Sequence, residues 1–244
     1  TLYKSDLMMI SMLANYNWDR PIYFSGGGVS DPSNTFYLND YLQNTGLTYK
    51  FVPIYNEFGK GGVIGGANLK ELSRIFYSFK SSGFENPNAS FSITERAYTS
   101  SYRNVAVRLA DDLLKAGKKA EAIKVLDKIM TDIPAWTQYD VGYGVSRIAG
   151  LYLKAGEDQK AKELFNYVRK NANDKIKFFD SLPTGYRVTV SSDIASAKQD
   201  LMMALFNEVS AVSERGDKQK ALAIFEKDFA PFKKQFQALY DEVI

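Results

Sequence analysis

Apolar residues recur at helical spacing on both sides of residues 116–118. This pattern predicts two helices that form a hairpin over residues 102–134. Gly117 lies where the first helix must end and the chain must reverse, because glycine adopts the left-handed conformation of a helix end at no steric cost. Pro134 follows the second helix, which it cannot continue. The apolar positions are Val105, Leu109, Leu113 and Leu114 in the first helix and Ala122, Ile123, Leu126, Ile129 and Met130 in the second.

The hairpin pattern recurs twice further along the chain. Aligning Gly117 with Gly156 gives a second unit at an offset of 39 residues, and aligning Gly156 with Gly216 gives a third at an offset of 60. The pattern resembles the tetratricopeptide repeat, whose period is about 34 residues. An ordinary bundle of αα-hairpins is the alternative. The aligned positions are Ala122, Ala161 and Ala221, then Leu126, Phe165 and Phe225, and the pairs Ile129 and Val168, Leu109 and Ile148, and Leu113 and Tyr152.

The first hundred residues carry short patterns of different kinds. The run over residues 5–14 predicts a helix, and because apolar residues surround it, we expect this helix to be buried. Strands are predicted over 22–24 and 47–54, with a short helix over 35–43 between them, and a further helix over 69–79. Trp18 falls between the first helix and the first strand, so we expect it to be buried at that junction.

The pattern weakens after the second repeat. The second helix of that repeat is expected to end near Asn171, and residues 175–190 are predicted to form a loop, because Pro183 and Gly185 interrupt a helix. A long helix is predicted over 193–214, and another from Asp217. A terminal helix over 232–243 follows Pro231.

These elements together predict a mainly α fold, in which tetratricopeptide-like αα-hairpin repeats follow a small α+β subdomain. We place the subdomain at residues 1–98 and the helical repeat domain at residues 99–244. The segment around this boundary is rich in serine and asparagine and contains Pro87, as a domain edge often does.

Composition narrows the possible chemistry. A formal net charge of +3 over 244 residues gives no reason to expect a nucleic-acid partner. The chain contains no histidine and no cysteine, which excludes thiol nucleophiles, histidine general bases and the common zinc sites. Asp111 and Asp112 are adjacent on a helix and point to different sides, so they do not form a catalytic carboxylate pair. We predict no catalytic residue, no metal site and no cofactor.

Several segments carry a family resemblance: NYNWDRPIYF at 15–24, FYLNDYLQNTGLTYKFVPI at 36–54, YRNVAVRLADDLLKAGKKAEAIKVLD at 102–127, and then IAGLYLKAGEDQKAKELF and FFDSLP. In this order and at about these spacings, they resemble the soluble C-terminal region of the DUF2723 family. These are large membrane proteins, common in Bacteroidetes. Their N-terminal part is a multi-spanning domain similar to GT-C glycosyltransferases, including protein O-mannosyltransferases.

The resemblance implies a location and a role. The chain would lie on the periplasmic face of the inner membrane as part of a larger membrane protein, with its own membrane-spanning domain as one partner. The catalytic acid of such enzymes lies in loops of the membrane part, so no catalytic residue is transferred to this chain. The implied function is a non-catalytic domain of a GT-C-like glycosyltransferase that positions an acceptor protein or a partner. The alternative is a standalone interaction or structural repeat module with no role in sugar transfer.

A partner is expected to bind the concave face of the repeats. In a tetratricopeptide stack the first helix of each hairpin lines this face, which suits an extended peptide or a helix. Tyr143 is the predicted anchor, since tyrosine and arginine dominate binding hot spots. The alternative is that this face packs on residues 1–98 or 175–190 and leaves no groove. The predicted partner-binding residues are Asn104, Val107, Arg108, Asp111, Tyr143, Ser146 and Arg147, with Arg103 and Gly150 beside them.

Overall fold

The computed structural model describes residues 3–25, 35, 37–55, 65–86, 88–137 and 142–227. It is mainly helical with a small four-stranded sheet near the N-terminus, which confirms the predicted fold class. The chain divides into two compact units, Thr1–Lys80 and Ser81–Ile244. Residues 98 and 99, between which the sequence places its domain boundary, both lie in the helix Ile93–Lys115. The terminal helix predicted over 232–243 lies outside the described residues.

The first unit is built on the small sheet. Its strand order is β1-β3-β2-β4, with β1 and β2 antiparallel to β3 and with β4 parallel to β2. Asn68 caps the helix after β4, because its side chain accepts a hydrogen bond from the Glu71 amide at 3.1 Å. The elements are α1 (Lys4–Ala14), β1 (Tyr23–Ser25), β2 (Leu42–Asn44), β3 (Thr48–Phe51), β4 (Gly66–Ala67) and α2 (Leu69–Ser78).

Three predictions for the first unit are wrong. None of the residues of α1 is buried, and Leu7 and Met8 are 57% and 59% exposed, because no described element covers this helix. Trp18 is 51% exposed rather than buried. The helix predicted over 35–43 is not continuous, because the 3-10 turn Asn39–Tyr41 is followed at once by β2. Pairing of β2 with β3 and β4 outweighs the local helical pattern there.

The second unit is a series of helices joined by short turns. α3 packs on α4 and α5, and α5 packs on α6 and α8, which also contact each other. Ser92 and Glu95 start the series with a reciprocal capping box. The helices are α3 (Ile93–Lys115), α4 (Lys119–Asp132), α5 (Gly142–Ala155), α6 (Asp158–Ser181), α7 (Thr184–Thr189), α8 (Ser191–Glu214) and α9, which is described over 218–227.

The turns after α3, α5 and α8 share one hydrogen-bond pattern. In the first, the Lys118 amide donates to the Leu113 carbonyl and the Gly117 amide donates to the Leu114 carbonyl, which is the Schellman arrangement. The same two bonds recur 39 and 99 residues later, around Gly156 and Gly216. Each of the three glycines has a positive φ, between 75° and 95°. The predicted helix ends at these glycines are therefore confirmed.

The aligned apolar positions of the first two hairpins form the core between the helices. All of these positions are buried, including Ala122 and Ala161. In the third unit Ala221 is buried, but Phe225, which aligns with the buried Phe165, is 41% exposed. A polar contact joins these two hairpins: the Tyr152 hydroxyl donates to Asp127 at 2.7 Å, and Lys160 pairs with the same carboxylate at 2.6 Å. Burial, reinforced by this hydrogen bond, raises the pKa of Tyr152, so the phenol stays protonated.

The loop predicted over 175–190 is wrong. α6 continues to Ser181, and α7 occupies Thr184–Thr189. Val168, Ala172 and Phe179 lie at helical spacing and are buried, so the apolar stripe of α6 extends beyond Asn171. Pro183 lies between α6 and α7. Proline is tolerated at the start of a helix, because an N–H group there would have no partner within the helix.

The amino end of α5 meets a carboxylate of α8. The Gly142 amide donates to Asp200 Oδ1 at 3.0 Å, and Asp200 is buried. Lys175 of α6 places its Nζ 3.8 Å from the other carboxylate oxygen. A Cβ added at Gly142 would lie 2.1 Å from Asp200 Oδ1, so only glycine fits at this position.

A bulky side chain at the close contact between α3 and α4 should destabilise the second unit. We expect Ala122→Phe to lower the free energy of unfolding by about 1–3 kcal/mol, because the buried position cannot accept the extra volume. Urea denaturation measures this loss. Ala120→Phe is the matched control on an exposed position of the same helix, and equal stability of the two variants would contradict the assigned packing.

Replacing Gly142 should have a larger effect than replacing a glycine in an open helix. Gly142→Ala is expected to cost about 1–3 kcal/mol through overpacking against Asp200. Gly185→Ala in α7 meets nothing within 4 Å and should be neutral or slightly stabilising, because alanine favours a helix by about 0.5–1 kcal/mol. Calorimetric melts of both variants provide the comparison, and a Gly142→Ala variant as stable as the parent would refute the close approach.

Candidate partner-binding cleft

A cleft of about 130 Å³ lies where α3, α5 and α8 meet. Its floor is apolar, since Val107 and Leu151 are buried there, and its walls carry charged and polar groups. The first helix of each hairpin contributes to it, as expected for the concave face. The lining residues are Val107, Asp111, Arg147, Gly150, Leu151, Lys154, Asn207 and Ser210.

Three of the predicted partner-binding residues line this cleft: Val107, Asp111 and Arg147. Tyr143 lies one helical turn before Arg147 on α5, is 54% exposed and accepts a hydrogen bond from the Arg147 guanidinium at 3.0 Å. Asn104 is exposed on α3, one turn before Val107 and Arg108, but does not line the cleft. The structure thus brings together residues from two hairpins that the sequence separates by about forty positions.

Two of the predicted residues have other contacts. Ser146 is fully buried, donates to the Gly142 carbonyl and accepts a hydrogen bond from Asn207 Nδ2 at 2.8 Å. Arg108 is largely buried and pairs with Asp112 at 2.5 Å. Both side chains therefore contribute to the packing of the helices rather than to the cleft surface.

Arg103, expected beside the concave face, is fully buried. Its guanidinium donates to the carbonyls of Ile133 and Pro134 at 2.8 and 2.5 Å and to Thr137 Oγ1 at 3.1 Å. These carbonyls lie at the C-terminal end of α4, where a cation is favourable. Burial lowers the pKa of Arg103 to about 10, which still leaves it charged at neutral pH. Arg103 is thus a structural cap, and its helical register alone did not reveal this.

The charges along the cleft are unequally neutralised. Asp111 pairs with Lys115 at 2.7 Å, and Lys154 pairs with Glu214 at 2.7 Å. Arg147 instead lies over the Tyr143 ring at 5.2 Å, and no carboxylate in the described part of the chain pairs with it. The cleft therefore presents one guanidinium whose charge is not neutralised, flanked by an exposed phenol.

Sequence reasoning missed Lys154, Leu151, Asn207 and Ser210. The repeat alignment contains a signal for two of them, because the offset of 60 that aligns Gly156 with Gly216 also aligns Arg147 with Asn207 and Gly150 with Ser210. Asp111 aligns with Gly150 at the offset of 39. One repeat position thus faces the cleft from all three hairpins.

The described ranges contain neither a metal site nor a membrane-spanning helix. No group of three or more acidic, histidine or cysteine side chains there could hold a metal ion. None of the helices in those ranges combines the length and the apolar character needed to cross a bilayer.

Ser146→Ala should lower the stability of the second unit. The variant loses the bond from Asn207 and the bond to the Gly142 carbonyl, so we expect a cost of about 0.5–1.5 kcal/mol. Ser101→Ala, at an exposed position in the middle of α3, is the control and should stay within about 0.5 kcal/mol of the parent. Chemical denaturation distinguishes them, and an unaffected Ser146→Ala protein would mean that these bonds contribute nothing.

Residues 1–67 match the family model TMEM260-associated domain 2, a domain linked to membrane glycosyltransferase-like proteins. The match covers α1 and the sheet of the first unit but not the helical hairpins. No curated protein and no solved structure matches the chain. The N-terminal part of the chain is therefore similar to a domain of membrane glycosyltransferase-like proteins.

Proposed function

We propose that this chain is the non-catalytic periplasmic domain of a membrane-embedded, GT-C-like glycosyltransferase of the DUF2723 type. Its tetratricopeptide-like hairpins position an acceptor protein or another protein partner. The observation that carries this proposal is the cleft between α3, α5 and α8, with Tyr143 and Arg147 at its edge. The match over residues 1–67 supports the link to membrane glycosyltransferases.

The size of the cleft favours a protein partner over a small-molecule substrate. Pockets for small molecules span roughly 300–1,000 Å³. A volume of about 130 Å³ instead accommodates one or two side chains of a docked segment. Partner segments that dock in grooves bind through a few anchoring side chains.

The charge of the cleft favours an acidic side chain in that segment. Arg147 provides a planar guanidinium, which binds a carboxylate through two parallel hydrogen bonds. Val107 and Leu151 provide an apolar floor beside it, which strengthens an ion pair by excluding water. Tyr143 provides a large exposed ring with a hydroxyl, the kind of group that contributes strongly to interfaces.

The uncovered apolar surface of α1 supports a place in a larger protein. Leu7, Met8 and Met12 are exposed on one short helix, and exposed apolar patches of this kind mark contact surfaces. The helix has only 11 residues, too few to span a bilayer. In this proposal the membrane-spanning domain of the same protein covers α1.

The test is a double variant in the full-length protein. We expect Tyr143→Ala with Arg147→Glu to weaken binding of the acceptor by about tenfold or more, because both hot-spot side chains are removed and the charge is reversed. The measurement is the transfer of sugar to acceptor protein as a function of acceptor concentration, with the loss in KM rather than in kcat. Tyr186→Ala with Lys162→Glu makes the same chemical change at exposed positions of α7 and α6 and serves as control.

The outcomes separate the two candidate functions. Acceptor modification and partner capture at wild-type level in a folded double variant would refute the role of the cleft. Loss of partner capture with unchanged sugar transfer would instead favour an interaction module that acts independently of transfer.

A further inference from the structure

Trp18 has a backbone conformation that is rare for a large side chain. Its φ is 69°, in the left-handed region that glycine, asparagine and aspartate occupy far more readily than tryptophan. Strained conformations of this kind persist where the surrounding structure enforces them, and they concentrate at functional sites. The conformation of Trp18 therefore calls for a cause outside its own residue preference.

Its two neighbours hold Trp18 in this conformation. The Asp19 amide donates to Asn17 Oδ1 at 3.2 Å, and Asn17 Nδ2 donates back to Asp19 Oδ2 at 2.5 Å. Both bonds span the tryptophan, so they close a tight turn with the indole at its tip. Asparagine and aspartate side chains commonly stabilise turns in this way. The strain at Trp18 is thus balanced by a local polar turn.

The sheet sets the orientation of the indole ring. Trp18 stacks on Phe51 of β3 with ring centroids 5.6 Å apart and planes 16° apart. Tyr16 lies against the indole at 4.6 Å and closes a triangle with Phe51 at 6.1 Å. The Phe51 amide donates to the Ile22 carbonyl at 2.9 Å, which ties this ring to the chain at β1. The indole therefore has a fixed plane.

In spite of these contacts, the indole is presented to solvent. Trp18 is about half exposed, whereas a tryptophan that served only the core would be buried. Asn17, Asp19 and Arg20 are exposed around it. The turn uses only one of the two side-chain N–H groups of Asn17 and only one of the two carboxylate oxygens of Asp19. About half of a rigid aromatic side chain, with hydrogen-bonding groups beside it, is thus accessible to a ligand.

The chemistry around Trp18 fits a carbohydrate better than an apolar partner. The face of an indole is electron-rich and attracts the C–H groups on one side of a pyranose ring. The hydroxyl groups at the edge of that ring need donors and acceptors, which Asn17 and Asp19 provide. An apolar partner would instead leave the amide and the carboxylate without water, at a cost in free energy.

We propose that Trp18 is the stacking platform of a carbohydrate-binding site, with Asn17 and Asp19 as hydrogen-bonding partners of the sugar hydroxyls. The site lies in the first unit, within the segment matched by the family model, and shares no residue with the cleft. It holds whether or not the cleft binds a protein partner.

The test uses the Trp136→Phe chain, in which Trp18 is the single remaining tryptophan. Methyl glycopyranosides of glucose, galactose and mannose, and maltose and cellobiose, are titrated while the Trp18 emission and its indole N–H resonance are followed. We expect a saturable change with at least one sugar, with a dissociation constant on the order of 1 mM. Direct observation of the ring means that this result does not depend on a variant at Trp18.

Three variants complete the test, each followed through ligand-detected NMR. Trp18→Ala and Asp19→Ala should weaken binding of that sugar by about tenfold or more. The Tyr143→Ala, Arg147→Glu variant should bind the sugar like the parent, so a failure of the cleft proposal leaves this result unaffected. Absence of a saturable change with every sugar, or binding that survives in folded Asp19→Ala and Trp18→Ala proteins, would overturn the proposal.

Discussion

The second unit depends on one carboxylate placed at the start of a helix. Asp200 of α8 accepts the amide of Gly142, the first residue of α5, and lies near Lys175 of α6. A carboxylate is favourable at this end of a helix dipole, whereas a buried carboxylate without such partners would be costly. The burial of Asp200 therefore requires α5, α6 and α8 to pack together, because each of these helices contributes one of the interacting groups.

The close approach of α5 and α8 continues along both helices and shapes the cleft. Gly142, Ser146 and Gly150 follow one another at intervals of four residues on α5, and all three are buried. A Cβ at Gly150 would lie 3.3 Å from the Asn207 carbonyl oxygen, and Ser146 bonds to the Asn207 side chain. This stripe of small residues lets α8 lie against α5. The hydrogen bond to Ser146 also holds the side chain of Asn207, which lines the cleft together with Arg147.

The first unit follows a different principle. Several of its apolar and aromatic residues are exposed. None of the residues of α1 is buried, and Trp18 is half exposed in a strained backbone conformation. Such exposure does not add to the stability of the chain. Exposure of this kind is expected where a surface is covered by another domain or by a ligand. The second unit buries its apolar residues between its own helices, whereas the first unit leaves the apolar side chains of α1 and half of Trp18 exposed.

The sequence by itself determined the helical hairpins, because their signals are local. A glycine such as Gly117, Gly156 or Gly216 ends a helix through its own backbone conformation, independently of tertiary contacts. An apolar stripe such as that of Leu109 and Leu113 has to be buried. Repetition of these signals also placed Val107, Asp111 and Arg147 on one face. Only the tertiary structure decided what covers each surface. Residues 42–44 form a strand because they pair with β3. Arg103 is buried because it donates hydrogen bonds to carbonyls at the end of α4. No described element covers α1 or the exposed half of Trp18. Such outcomes depend on partners distant in the sequence, and a local pattern of polar and apolar residues contains no information about them.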